Sequence, residues 1–158
     1  MTTELSQPIA QTGAIRYFSG YLMRVHVSNE QTNGAFSLVE FNMRPGSEPP
    51  MHIHELEDEM FYVKEGVLRV TVGDKTIEAT AGQTVFLPRQ VPHAYSVISP
   101  TANILVYMTP GNFVNFFYEL SEEATEAIMP PKPEGPMPAE VMNVFLETST
   151  RYGIKYVH

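Results

Sequence analysis

The sequence contains no cysteine, which removes disulfides, thiolate nucleophiles and cysteine-ligated zinc from consideration. Basic residues are scarce: ten Lys and Arg stand against eighteen Asp and Glu, a formal net charge of −8. An acidic surface does not attract nucleic acid or an anionic membrane, so neither is expected as a partner. No helix-turn-helix pattern precedes the β-rich part of the chain, which also argues against a transcription factor. There is no apolar run near the roughly 18 residues that a membrane-spanning helix needs. The N-terminal Met1-Thr2-Thr3-Glu4-Leu5 lacks the basic start and apolar core of a signal peptide, and a cytoplasmic location is expected. What is present is ample for one globular core: 158 residues, 43% hydrophobic and 18% charged.

Three of the five histidines fall into one arrangement. Gly46 is followed after five residues by His52, then by His54, then after four residues by Glu59, and after six more by Gly66. A second block has Gly82, Pro88 and His93. On a β-strand, side chains alternate between faces, so His52 and His54 project the same way and can share one ion. Glu59 joins them if a short turn intervenes, and His93 arrives from another strand. Glu55, Glu57 and Asp58 are alternative carboxylates, expected to be solvated or on the rim. Three imidazoles and a carboxylate suit one divalent transition metal per chain, Fe(II), Mn(II), Ni(II), Co(II), Cu(II) or Zn(II), without selecting among them. His26 reads as a polar strand residue and His158 as a frayed terminus; neither is expected at a site.

These two blocks resemble the paired motifs of the cupin family. The first is Gly, five residues, His-x-His, three or four residues, Glu, six residues, Gly, and Gly46, His52, His54, Glu59 and Gly66 satisfy it throughout. In the second, Gly82, Pro88 and His93 match, whereas Gln90 replaces a glycine and Val97 an asparagine. The 15 residues between Gly66 and Gly82 are similar to the short spacing of small microbial cupins. The resemblance implies an all-β fold, a double-stranded β-helix or jelly-roll barrel, with His52, His54, Glu59 and His93 as metal ligands within its mouth and a homodimer as assembly. Ile15-Arg16-Tyr17-Phe18 is the segment expected to cross to a partner sheet.

Outside the motifs, strand signals run to about Met108. Leu22–Val27, Phe36–Phe41, Met60–Lys64, Val67–Val72, Thr76–Ala79, Thr84–Leu87, His93–Ile98 and Asn103–Met108 are β-rich, several with period two, and Asn33-Gly34, Glu65-Gly66, Gly73-Asp74 and Ala81-Gly82 punctuate them. Many short strands argue for a sandwich or barrel. After Pro110-Gly111 the period changes: Phe113, Phe116, Phe117 and Leu120 make one helical face with Asn112 available as N-cap. That face either packs outside a sheet or forms a lid over the barrel mouth. A Pro-rich connector over 130–138 leads to a second helix, about 139–152, with Gly153 at its C′ position. The expected division is a barrel over 1–110, its motifs at 46–97, and a C-terminal helical extension over 111–158.

A metal with these ligands keeps positions open for water, substrate or O2, and acts as a Lewis acid and template. Glu59 gains a second expected role, accepting a proton from a bound hydroxyl. Phe61 and Val63, in step with Glu59, and Tyr95 and Val97, in step with His93, point inward on regular strands and are expected to wall an apolar pocket for a planar substrate. The chain resembles the quercetin dioxygenase-like group of small cupins, which implies insertion of O2 into an aromatic or enol small molecule. The alternatives are a non-oxidative, isomerase-type cupin and a binding module without turnover.

Overall fold

The computed structural model describes residues 13–158; the first twelve, including the stretch read above for targeting features, lie outside the described residues. Twelve strands form two sheets. They are β1 (Ile15–Phe18), β2 (Tyr21–Val27), β3 (Ser37–Met43), β4 (His52–His54), β5 (Asp58–Glu65), β6 (Val67–Val72), β7 (Lys75–Thr80), β8 (Thr84–Leu87), β9 (His93–Val97), β10 (Ala102–Thr109), β11 (Glu122–Glu123) and β12 (Ile154–Tyr156). One sheet has the order β11-β1-β2-β3-β10-β5-β8 and the other β12-β4-β9-β6-β7, with antiparallel neighbours throughout. Two helices follow the main strands, α1 (Val114–Leu120) and α2 (Ala139–Arg151). The architecture is the expected cupin sandwich with a C-terminal helical part.

Period-two patterning explains the sandwich. Along β3, Ser37, Val39, Phe41 and Met43 are buried while the residues between them are not. Along β5, Glu59, Phe61 and Val63 face inward and Met60, Tyr62 and Lys64 outward. The inward set meets Leu68, Val70, Leu87, Ile104, Val106 and Met108 in one core. Each such side chain contributes roughly 1.5–3 kcal/mol by leaving water. The turn between β5 and β6 depends on Gly66, whose φ is +87° and where a Cβ would stand 2.5 Å from the Thr101 carbonyl oxygen. Gln90, which replaces a motif glycine, keeps the left-handed backbone (φ +67°). Two hydrogen bonds hold it there: its amide donates to the His54 carbonyl at 2.8 Å and its Nε2 to the Glu55 carbonyl at 3.0 Å.

Three expectations change, while β1, the segment expected to cross to a partner sheet, lies between β2 and β11 of its own chain. Asn112 is not an N-cap: the chain enters α1 through the 3₁₀ turn Gly111–Phe113, Phe113 takes the cap position without a side-chain bond, and the Asn112 Oδ1 accepts from Asn115 Nδ2 at 3.0 Å. The face of Phe113, Phe116 and Phe117 packs on neither outer sheet surface. It is buried against inner-face residues, Phe117 meeting Phe41 and Phe18 with ring centroids 5.1 and 5.0 Å apart. Finally, Gly153 (φ +75°) ends α2 as expected, but the chain then forms β12 alongside β4. The extension thus adds one strand to each sheet. No helix among the described residues is long and apolar enough to cross a membrane.

Candidate metal centre

Strand alternation puts His52 and His54 on the inner face of β4, with Ile53 between them turned the other way. β4 is short and is held from both sides: His52 stands opposite His93 of β9, and β12 pairs along the other edge with Tyr156 opposite His52 and Ile154 opposite His54. β5 supplies Glu59 from the facing sheet. The result is a buried cluster in which one ring nitrogen from each of His52, His54 and His93 lies within 4.8 Å of the other two. The Glu59 Oε2 is 3.4 Å from both His54 Nε2 and His93 Nε2. All four expected ligand residues are therefore brought together, each no more than 6% exposed. His26 lies outside, its Nε2 2.7 Å from Glu40 Oε1 on the outer side of the sheet.

The orientation of the rings is set from behind. His52 Nδ1 donates to the Pro50 carbonyl at 2.8 Å, and His54 Nδ1 to Glu57 Oε2 at 3.3 Å. Each bond places the proton on Nδ1 and leaves the Nε2 lone pair facing the cluster, the usual device by which an outer hydrogen bond orients a metal-binding imidazole. Glu57 was expected to be solvated or on the rim of the site; it is 3% exposed and lies behind the His54 ring, because the turn between β4 and β5 folds its side chain under His54. The one sequence signal for this was its position three residues after His54.

Electrostatics match the geometry. Burial lowers the His52 pKa, and the His93 and His54 rings lower it further, to about 4. Burial also works to lower that of His54, but Glu59 and the Glu57 hydrogen bond more than reverse it, leaving it raised. For Glu59, burial works to raise the pKa, yet the three imidazoles prevail and hold it at about 2. An ionised, enclosed carboxylate beside three buried imidazoles is a site in which a bound cation can take the place of the ring protons that now compensate its charge. The three buried histidines can bind a metal ion, and the donor chemistry fits the transition metals named above.

The cluster lines a cavity of about 1070 Å³. Phe113 abuts His54, ring centroids 4.6 Å apart, and Phe116 stacks on Phe113 at 4.9 Å. Of the four residues expected to wall a pocket, Phe61 and Tyr95 line this cavity, but Val63 and Val97 do not. Their alternation is regular and both are buried in the core; each lies one further step of about 7 Å along its strand, past the end of the cavity. Tyr21, Tyr156 and the Pro-rich segment through Pro133 and Pro136 also line it, as does His158, which was expected to be frayed.

Residues 39–109 match the family described as Cupin domain. A quercetin 2,3-dioxygenase of Bacillus subtilis is 26% identical over 113 residues, covering 72% of this chain and 34% of that protein. A quercetin 2,3-dioxygenase of Aspergillus japonicus is 28% identical over 118 residues, covering 70% of this chain and 33% of that protein. The chain thus spans about a third of the length of these curated relatives. Among solved structures, an RmlC-like cupin from Shewanella frigidimarina is similar in fold, with a TM-score of 0.53 at 22% identity, covering 69% of this chain and 93% of that one. The matched segment encloses His52, His54, Glu59 and His93 and the strands that carry them, and over this cupin-domain segment the chain resembles the small, quercetinase-like monocupins.

Proposed function

We propose that this protein is a metal-dependent dioxygenase acting on a small planar aromatic or enol substrate, with His52, His54, His93 and Glu59 as ligands of one divalent transition metal. The observation that supports it is the three-histidine, one-carboxylate cluster opening onto an aromatic-walled cavity. Both quercetin 2,3-dioxygenases named above align with the part of the chain that holds it. A bound redox-active metal would supply Lewis acidity and the one-electron chemistry that O2 requires. The protein's own residues do the rest. Phe61, Phe113 and Phe116 offer faces and edges to a planar ring and keep water from the cluster. Glu59 receives the proton of the substrate hydroxyl at its carboxylate. His52 remains neutral through the physiological range, so its lone pair stays available.

Metal analysis combined with oxygen uptake tests this. Inductively coupled plasma mass spectrometry on the wild type should find about one redox-capable ion per chain, lost in His52→Ala, His54→Ala and His93→Ala and retained in His26→Ala. Quercetin or a simpler flavonol should then be consumed with uptake of O2. Equal metal content in all the variants would overturn the ligand assignment. Substrate turnover without oxygen would replace the dioxygenase with an isomerase-type enzyme, and tight retention of ligand without product would leave a binding module.

A further inference from the structure

The C-terminal part of the chain, outside residues 39–109 that match the cupin family, builds one end of the cavity. Tyr156 of β12 stands beside His52, ring centroids 6.1 Å apart, and Phe145 of α2 stands 6.4 Å from Tyr156. Met142 lies one turn before Phe145 and Leu146 and shares their face of the helix, because residues three and four apart are neighbours; all three line the cavity. Met137 from the Pro-rich connector and Val157 from beyond β12 line it too. Met137, Met142, Leu146 and Val157 are nevertheless between 38% and 43% exposed.

Three separate segments thus bring exposed aliphatic side chains to one mouth of the cavity. Single exposed apolar residues are ordinary, but a group of them continuous with an enclosed cavity and edged by polar residues, here the exposed Lys132 and Glu134 of the connector, marks a binding groove. The hydroxyls between this mouth and the cluster are already engaged: Ser149 Oγ donates to the Phe145 carbonyl at 2.8 Å and lies 3.0 Å from the Tyr156 hydroxyl. A ligand hydroxyl set against this wall would give up water and gain no partner, which costs affinity. A methylene there would leave water for an apolar surface, which adds affinity. At about 1070 Å³ the cavity reaches the top of the roughly 300–1,000 Å³ range of small-molecule sites, with room beyond a ring seated at the histidines.

We propose that the substrate is amphiphilic, with a planar enol or phenol head at the histidine cluster and an aliphatic tail that runs past Tyr156 and Phe145 to the mouth formed by Met137, Met142, Leu146 and Val157. The placing of the head rests on the proposed function; the tail site stands on the apolar mouth alone. Alkyl- or prenyl-substituted enols and phenols fit this description, and polyhydroxylated ring systems do not.

The test is isothermal titration calorimetry, under argon, of the Zn(II)-loaded protein with 2-methyl-, 2-butyl- and 2-octyl-3-hydroxy-4-pyranone, which share one enol head. At about four-fold per buried methylene, the wild type should bind the butyl compound about 60-fold tighter than the methyl compound, and the octyl compound tighter still. Met142→Gln and Leu146→Gln should each cut the octyl gain several-fold. Val144→Gln, on the same helix but away from this cavity, should keep it. A disturbance of packing alone would weaken all three compounds equally and leave the gain undiminished. No gain with tail length in the wild type, an undiminished gain in both cavity-facing variants, or an equal loss in Val144→Gln overturns the proposal. His54→Ala separates tail from head. If the head does not seat on the metal, wild type and His54→Ala bind each compound alike and the tail gain persists; if there is no tail site, the metal dependence persists without the gain. No binding of any compound overturns both.

Discussion

Glu57 offers a sharp test of the centre, because its role is visible only in the folded chain. Its carboxylate and the His54 ring are each about 4% exposed, and the contact between them is 3.3 Å. Glu57→Gln keeps the size and one acceptor oxygen for the His54 Nδ1 proton but removes the charge. Loss of such an outer partner typically weakens metal binding 10- to 100-fold, which is about 1.4–2.7 kcal/mol at 1.36 kcal/mol per decade. The length of the contact places the expectation near the lower end. An opposing effect must be kept apart: Glu57 also helps to raise the His54 pKa, so the variant suffers less competition from protons as the solution becomes more acid. Chelator-competition titration with Co(II) should therefore be run at alkaline pH, where that benefit is smallest. Glu55→Gln serves as the control, since Glu55 is paired at 2.6 Å with Lys155. Affinity of Glu57→Gln within about two-fold of wild type, or an equal loss in Glu55→Gln, would refute the orienting role.

Other perturbations probe the scaffold. Gly66→Ala places a side chain at φ +87° and a Cβ 2.5 Å from the Thr101 oxygen; left-handed backbone alone costs about 1–2 kcal/mol, so urea denaturation should show a loss of at least that size, and an unchanged midpoint would contradict the close approach. Glu40 is pulled down from 4.5 to about 2; burial opposes the shift, and hydrogen bonds from His26, Asn103 and Lys64 overcome it. A depressed carboxylate adds stability that is complete above its unfolded pKa and lost as pH falls through the folded one. Glu40→Gln should accordingly flatten the decline in unfolding free energy between pH 4.5 and about 2, and an acid limb parallel to wild type would rule this out. Val63→Ala and Val97→Ala should cost about 2 kcal/mol each through lost burial and an unfilled cavity. They should leave flavonol affinity unchanged, whereas Phe61→Ala should weaken it; weaker binding in the valine variants would return them to the pocket.

Much of this protein is legible along the chain because its rules are local. The two-residue period that buries Val39, Phe41 and Met43 also sets His52 and His54 on one face, and the positive-φ turn after β5 demands a residue such as Gly66. Strand limits follow closely, Thr84–Leu87 and Val67–Val72 falling where the pattern predicts. The spacing of the two motif blocks brings His93 opposite His52. Gln90 shows the limit of reading by residue type: a motif glycine is absent, yet the conformation persists because two hydrogen bonds to the segment around His54 hold it.

What only the tertiary structure decided concerns partners distant in sequence or depth. β12 pairs with β4 about a hundred residues earlier, and no periodicity in Ile154–Tyr156 names that partner. The α1 stripe marks an apolar face without saying whether it meets the outside of a sheet or the interior, and here Phe113 lies beside His54. Alternation correctly turns Val63 and Val97 inward but cannot tell how far along the strand the cavity ends. Glu57 and Tyr21 are polar residues whose burial depends on what folds over them. Sequence determines which face a side chain takes, because that follows from backbone geometry one residue at a time. Depth, enclosure and pairing follow from how whole sheets and loops cover one another, and these determine which buried groups form the site.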